Sequence, residues 1–430
     1  MKKTIIFALF LVPLYLWAQD NASLTPSDYL KVYQQLHAHP ELSGQEKNTA
    51  DFLKKQLQSW GYTLQDSLGF YSFAAVLKNG KGPTVLYRTD MDALPVEEQT
   101  GLPFASSVKA LKDGIETPVM HACGHDAHMV TWLAVAEYMT KHPKSWKGTL
   151  VLLAQSAEEI GQGARMAIAQ PNFKKLPTPN YQIAMHNNAD LAVGQVGFCD
   201  GYAMAAVDMM NITIHGIGGH GAVPQNAIDP IVLSAQYITE IQTIVSRNLP
   251  PTESAVITVG AIQGGTIGNV IPSQVELKLT IRSFSPQARQ LILDRLKAIG
   301  DGLAASAGLP PSLWPEYHLL DMSIGPVYND SAMGKLVAES IQKKLGKQAI
   351  VPVEPIMIGE DFGMYRGNPA IPSYLVWMGT LTSETQEKYK SQKQKNPSLH
   401  SAQFAPDYQA SLPVSIQAMT LALHGLFAAK

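Results

Sequence analysis

Residues 149–155 read TLVLLAQ, with apolar side chains at odd and even positions alike. Successive side chains of a strand point to opposite faces. Such a run fits a sheet that is covered on both sides. It predicts an α/β architecture, a sheet with helices packed on both faces. The material for a large core is present: 46% of the 430 residues are hydrophobic and 16% are charged. That composition argues against a disordered chain. Lys and Arg number 33 and Asp and Glu 35, a net charge of −2. This balance excludes phosphate-neutralising nucleic-acid binding as the main task. Two cysteines, Cys123 and Cys199, exclude a disulfide scaffold.

The flanking pattern alternates strand and helix. Spaced apolar residues predict a helix over 45–60 and a second over 126–139. Strands are expected over 71–77, 84–87 and 181–185, the last closing at His186. From position 207 the texture changes. Strand over 207–215, helix over 230–245, strands over 255–262 and 274–281, helix over 285–306 and a short strand over 317–320 give the order βαββαβ. This is the order of a small ferredoxin-like α+β unit. After 326 the pattern returns to helix, strand and helix, ending in a long helix over 408–427. The expected organisation is a catalytic domain built from 19–206 and 326–430, with a smaller domain inserted at 207–325. The Lys-rich stretch 388–395 reads as a solvated loop.

The first 18 residues have the anatomy of a secretory signal peptide. Lys2-Lys3 precedes a short apolar run, TIIFALFLVPLYLW, and Ala18 stands before the polar Gln19-Asp20-Asn21. The run is shorter than the ~20 residues a membrane helix needs. Cleavage after Ala18 predicts an exported, soluble protein, periplasmic or extracellular. An uncleaved anchor is the competing reading.

The densest chemical signal is His121-Ala-Cys123-Gly-His125-Asp126-Ala-His128. Thiolate, imidazole and carboxylate are the common ligands of borderline divalent metals. A second signal is Glu158-Glu159, directly after TLVLLAQ. At the carboxyl end of a strand both side chains can address the crevice where open α/β sheets bind ligands. One carboxylate can hold metal while the other carries a proton. His186 and His400 each lie at the end of a predicted element. Asp90 and Asp92 follow a strand, where they could orient a ligand or stabilise a turn. His220 sits in Gly218-Gly-His-Gly221 inside the inserted unit. A histidine on a glycine loop can swing over a site and donate to a developing oxyanion.

Together these segments resemble the M20 metallopeptidase family, in its amidohydrolase branch of hippurate, N-acyl-amino-acid and auxin-conjugate hydrolases. The resemblance rests on 36–43 (LHAHPELS), 90–98 (DMDALPVEE), 120–128 (MHACGHDAH) and 157–159 (AEE). It continues through 185–187 (MHN), 218–222 (GGHGA), 264–272 (GGTIGNVIP), 359–362 (GEDF) and 399–401 (LHS). It implies a zinc-peptidase-like catalytic domain with a mixed sheet, and an inserted lid that often dimerises. It implies Cys123, His125, Glu159, His186 and His400 as ligands of two divalent metals, Zn²⁺ or Mn²⁺ with Co²⁺ a further option. Cys123 would be the bridge. Glu158 would be the general base, His220 the lid histidine that polarises the scissile carbonyl, and Asn269 and Glu360 substrate-binding residues. The implied reaction is hydrolysis of N-acyl amino acids by a metal-activated water.

Two departures bear on specificity. The lid motif continues Pro224-Gln225 where the family often has Pro-His. After His186-Asn187 comes Asn188-Ala189-Asp190, without the usual nearby proline. A dipeptidase or carboxypeptidase of the same family is the first alternative. A non-catalytic exported solute-binding protein is the second, but it gives no reason for Glu158 beside Glu159. The His-x-Glu and Pro-Cys-x-x-Cys pair of nucleobase deaminases and the His-Glu-x-x-His of gluzincins are both missing.

Overall fold

TLVLLAQ lies third from one edge of an eight-stranded mixed sheet. The computed structural model describes residues 26–367 and 369–429; the expected signal peptide lies outside the described residues. The strand order is Thr63–Gln65, Phe73–Asn79, Gly148–Gln155, Thr84–Asp90, Tyr181–Ala192, Ser373–Leu381, Val196–Phe198 and Ile350–Pro352. Four neighbouring strands, Gly148–Gln155, Thr84–Asp90, Tyr181–Ala192 and Ser373–Leu381, run parallel. Their carboxyl ends form one rim.

The apolar run is explained by two cores. Leu150, Leu152 and Ala154 face one core together with Val85 and Tyr87. Val151 and Leu153 face the other together with Leu86. Helices Pro26–Ala38, Lys47–Ser59, His125–Lys141, Ser331–Leu345 and Tyr408–Ala428 supply the first core through Tyr33, Leu53, Trp132, Val337 and Leu423. Helix Gly163–Ala169 and the turn Asp361–Arg366 supply the second through Ala164, Phe362 and Tyr365. Removing one fully buried side chain, as in Leu152→Ala, should cost about 2–5 kcal/mol.

Helix Tyr408–Ala428 is long and apolar enough to cross a membrane, yet more than half of its most apolar stretch is buried. It packs against helices Ser331–Leu345 and His125–Lys141. A helix that is apolar all round belongs in a core of this kind.

A second sheet is antiparallel, in the order Ala255–Gln263, Gln274–Ser283, Ala206–His215, Glu316–Leu319. Helices Pro230–Glu240 and Pro286–Ser306 cover it and share a separate hydrophobic cluster with it. Asp229 and Ser285 cap these helices, each followed by proline at the first helical position. The chain enters and leaves this region side by side, through paired backbone hydrogen bonds between Val207 and Ile324.

Several expected boundaries move. The strand ending at Tyr87 continues to Asp90. The strand expected to close at His186 runs on to Ala192, so His186 lies inside it. The extension pairs with Ser373–Leu381, a partner far away in sequence. The front half of the Lys-rich stretch is not a loop: Lys388 and Lys390 sit on helix Ser383–Ser391, capped by Thr382. Both cysteines are buried and free.

Candidate metal centre

The rim of the parallel strands gathers side chains from positions 90 to 400. Cys123 and His125 come from the loop that opens helix His125–Lys141. Gly124 between them has φ +79, and a Cβ there would collide with the Asn187 amide. Only glycine meets both demands. The Asn187 Nδ2 donates to Gly124 O at 3.1 Å and docks this loop against the strand that carries His186. His400 is also left-handed, with φ +65, and its backbone N–H donates to Ala122 O at 2.8 Å. Glu158 and Glu159 follow Ala157, whose φ of +57 turns the chain sharply after strand Gly148–Gln155.

These elements bring potential ligand atoms within 4.8 Å of one another in overlapping sets: Cys123, His125 and His186; Cys123, Glu159 and His400; His125, Glu158 and Glu159. Cys123 Sγ lies 3.5 Å from His186 Nε2. His125 Nε2 lies 3.8 Å from Glu159 Oε1 and 3.9 Å from Glu158 Oε2, and His400 Nε2 lies 3.4 Å from Glu159 Oε2. Thus Cys123, His125, Glu159, His186 and His400 meet in one place, with Glu158 beside them.

The donor set fits divalent metal. His125 Nδ1 donates to Asp92 O at 2.8 Å, and His186 Nδ1 donates to Asn187 O at 2.9 Å. Each ring therefore presents the lone pair of Nε2 to the cluster, the arrangement in which a second hydrogen bond orients a metal ligand. His125 Nε2 and Glu159 Oε1 are buried without a hydrogen-bond partner. The cluster is also short of positive charge. Burial, then Glu159 and Glu158, push the Cys123 thiol well up. Burial, then Glu360 and Glu159, raise Glu158 well above the carboxylate range. Burial is the largest cause at Glu159 too, taking it to about 8. At His125 burial favours the neutral ring, but Asp90, the Asp92 hydrogen bond and Glu159 outweigh it and raise the group to about 10. Divalent cations supply the missing charge.

Around the cluster lies a ring of buried polar residues. His128 Nδ1 donates to Asp90 Oδ1 at 2.7 Å, and its Nε2 accepts the Asn187 N–H at 3.0 Å. Arg88 is fully buried. It reaches Asp90 at 2.6 Å, Glu360 at 3.0 Å and Asp361 at 3.1 Å, and its Nε donates to Gln155 at 3.0 Å. Asp126, one of the five potential ligands in the 121–128 segment, turns away from the cluster to His37, 2.7 Å distant, and His37 pairs on its other side with Glu98 at 2.9 Å. His121 is buried with neither ring nitrogen hydrogen-bonded.

Glu360, expected as a substrate-binding residue, lies next to Glu158. It is 1% exposed, pairs with Arg88, accepts the Phe362 N–H at 2.8 Å and stands behind Glu158. His220 and Asn269 lie together on an exposed ribbon of the second sheet's region: strands Gly219–His220 and Val270–Ile271 pair, and Gly221 N–H donates to Asn269 O at 2.9 Å. Among the described residues no hydrogen bond ties either to the metal cluster. Sequence reading missed Arg88, Glu46 and the Asp90–His128 pair as one unit. Arg88 directly follows the apolar run Val85-Leu86-Tyr87 of its strand, a signal that it is buried.

The family model Peptidase family M20/M25/M40 matches residues 86–405. An N-acetyl-L-cysteine deacetylase of Bacillus subtilis is 37% identical over 361 residues, covering 84% of this chain and 82% of the relative. An N-acetyldiaminopimelate deacetylase of Lacticaseibacillus paracasei is 35% identical, covering 90% and 95%. Among solved structures, a Bacillus subtilis protein described as a dinuclear metal-binding peptidase of family M20 superposes with a TM-score of 0.76 at 31% identity, covering 93% and 97%. Matched along most of its length, with a ligand cluster suited to divalent metal, the chain belongs to peptidase family M20/M25/M40 and is a metal-dependent hydrolase.

Proposed function

We propose that this protein hydrolyses the amide bond of N-acyl amino acids, releasing a carboxylic acid and a free amino acid. The observation that carries the reading is the convergence of Cys123, His125, Glu159, His186 and His400 around Glu158. The relatives named as deacetylases of N-acetyl-L-cysteine and N-acetyldiaminopimelate support the same substrate class and favour a small acyl group.

Cys123, His125, Glu159, His186 and His400 would hold two divalent cations, and Cys123, His125 and Glu159 each belong to more than one ligand set. Thiolate and imidazole suit Zn²⁺, with Mn²⁺ and Co²⁺ as alternatives. Bound cations polarise a carbonyl and lower the pKa of water toward neutrality.

Glu158 takes the proton from the attacking water and delivers it to the departing amine. His220 accepts the Ala222 N–H at Nδ1, at 3.0 Å. Its proton therefore sits on Nε2, free to donate to the carbonyl oxygen as charge develops there. Asn269, next to it on the ribbon, contacts the substrate. Residues 207–325 act as a lid. Val256 and Ile262, exposed on the outer strand Ala255–Gln263, support a role in pairing two copies. The protein works outside the cytoplasm after losing residues 1–18.

The test is a panel of N-acetyl and N-benzoyl amino acids and dipeptides incubated with metal-reconstituted protein, with amino-acid release as the readout. Release from N-acyl amino acids that a chelator abolishes and added metal restores is the expected result. Activity on dipeptides alone, or full activity after chelation, would overturn the reading.

A further inference from the structure

We propose that Glu46 is a positioning residue for the reaction: its carboxylate holds the backbone of Ala157 so that Glu158 is presented to the metal cluster. The inference rests on the reading of Glu158 as the proton carrier.

Glu46 immediately precedes helix Lys47–Ser59 and does not cap it. An acidic side chain at that position ordinarily serves its own helix N–H groups. Here it turns inward and is fully buried. Its Oε1 accepts the Gly44 N–H at 2.9 Å and the Ala157 N–H at 2.8 Å, across 111 positions of sequence. Ala157 holds a left-handed backbone, φ +57. That conformation costs an alanine about 1–2 kcal/mol and persists only where its surroundings enforce it.

The other side of Glu158 is held in the same manner. The Glu159 N–H donates to Asp92 Oδ2 at 2.9 Å. The same oxygen accepts the Ser43 hydroxyl at 2.6 Å. The Ala157 carbonyl accepts the N–H groups of Gln162 at 3.2 Å and Gly163 at 3.0 Å, closing the turn behind. So the N–H groups of the residues before and after Glu158 are each anchored by a buried carboxylate, and residues 43–46 touch both anchors. Glu46 Oε2 has no partner. A buried carboxylate left half satisfied is a costly way to gain stability alone. Its value lies in fixing one backbone N–H where a small displacement moves a reacting group.

The two anchors divide the labour. Glu46 acts one residue before the proton carrier, whereas Asp92 acts on the ligand Glu159 and on His125. Loss of Glu46 should lower turnover more than it lowers metal retention.

The experiment compares Glu46→Gln, Glu46→Asp and Glu46→Ala with Glu158→Gln, all metal-reconstituted, by kcat, KM, metal content and hydrogen exchange of peptides containing 157–159. Glu46→Gln keeps an acceptor oxygen at the same reach and should keep most of the turnover and the amide protection. Glu46→Asp keeps the carboxyl group but withdraws the acceptor by one methylene. It should lose about 10²-fold in kcat, the scale of a misplacement near 1 Å, with KM and metal content little changed and exchange at 157 accelerated. Glu46→Ala should behave like Glu46→Asp. Wild-type kcat in Glu46→Asp while Glu158→Gln is impaired would overturn the inference, as would Glu46→Gln falling as far as Glu46→Asp. Wild-type turnover in Glu158→Gln would instead overturn the reading of Glu158 on which the inference stands.

Discussion

Asp90 and His128 share a hydrogen bond of 2.7 Å, and that bond settles which nitrogen of His128 carries the proton. Nε2 accepts the Asn187 N–H, so Nδ1 must be the donor to Asp90. His128 thus works as a fixed strut between one strand end and the peptide beside His186. Removing it in His128→Ala frees the Asn187 N–H and loosens His186. Metal affinity, read by competition with a chelator, should fall about 10–100-fold, the usual cost of losing an orienting partner. Wild-type affinity would mean that the strand alone holds His186.

Glu158→Gln should retain metal and lose on the order of 10²–10⁴ in kcat, the range of a general-base contribution. Metal content by elemental analysis and turnover on the best N-acyl amino acid decide it together. Loss of metal in this variant would move Glu158 among the ligands.

Cys123→Ser replaces a thiolate with a far poorer ligand. Cys123 belongs to two ligand sets, so the variant should lose metal more readily than wild type on dialysis, and activity with it. Unchanged stoichiometry after dialysis would exclude the sulfur from the coordination shell.

Among the described residues, Arg88 is the one Lys or Arg within 3.1 Å of Asp90, Glu360 and Asp361, all of them buried. Arg88→Met leaves these carboxylates uncompensated, and breaking a buried ion pair from one side costs about 3–5 kcal/mol. Arg88→Lys recovers little of it, because an ammonium cannot reproduce the planar fork. Urea denaturation of the three proteins checks this; equal midpoints would show that Asp361 and its neighbours simply take up protons.

His37 links stability to pH. Burial disfavours its charge, but the hydrogen bonds to Asp126 and Glu98 outweigh burial and raise it to about 10. The unfolded chain releases this proton near pH 6.5. Between those values the native state binds more protons, so stability falls as pH rises through that window. The contribution is fully present below pH 6.5 and is gone above about 10. His37→Gln should flatten that slope by up to about 5 kcal/mol across the window. Equal slopes in denaturation series at pH 6.5, 8 and 9.5 would show that His37 is not charged in the folded protein.

Legibility followed locality. TLVLLAQ announced a two-sided sheet because an alternating pattern cannot hide apolar groups at every position. The 121–128 segment announced metal because its ligands are adjacent in the chain. The βαββαβ order from 206 to 319 could be read from period and punctuation alone. At Glu360 the sequence shows a carboxylate near a glycine but not the Arg88 that engages it, because the two lie 272 positions apart.

The sequence by itself determined the sheet with its two helical layers and marked out Cys123, His125, Glu158, Glu159, His186 and His400 as the side chains to watch. These follow from side-chain chemistry and short-range periodicity. Tertiary structure alone decided that His186 lies inside a strand, that the Asp90–His128 strut and the Arg88 clamp exist, and that Glu46 reaches the N–H of Ala157, the residue before Glu158. Each of these joins positions remote in sequence through a buried hydrogen bond or ion pair, and such a bond is fixed only when packing has excluded water from both partners.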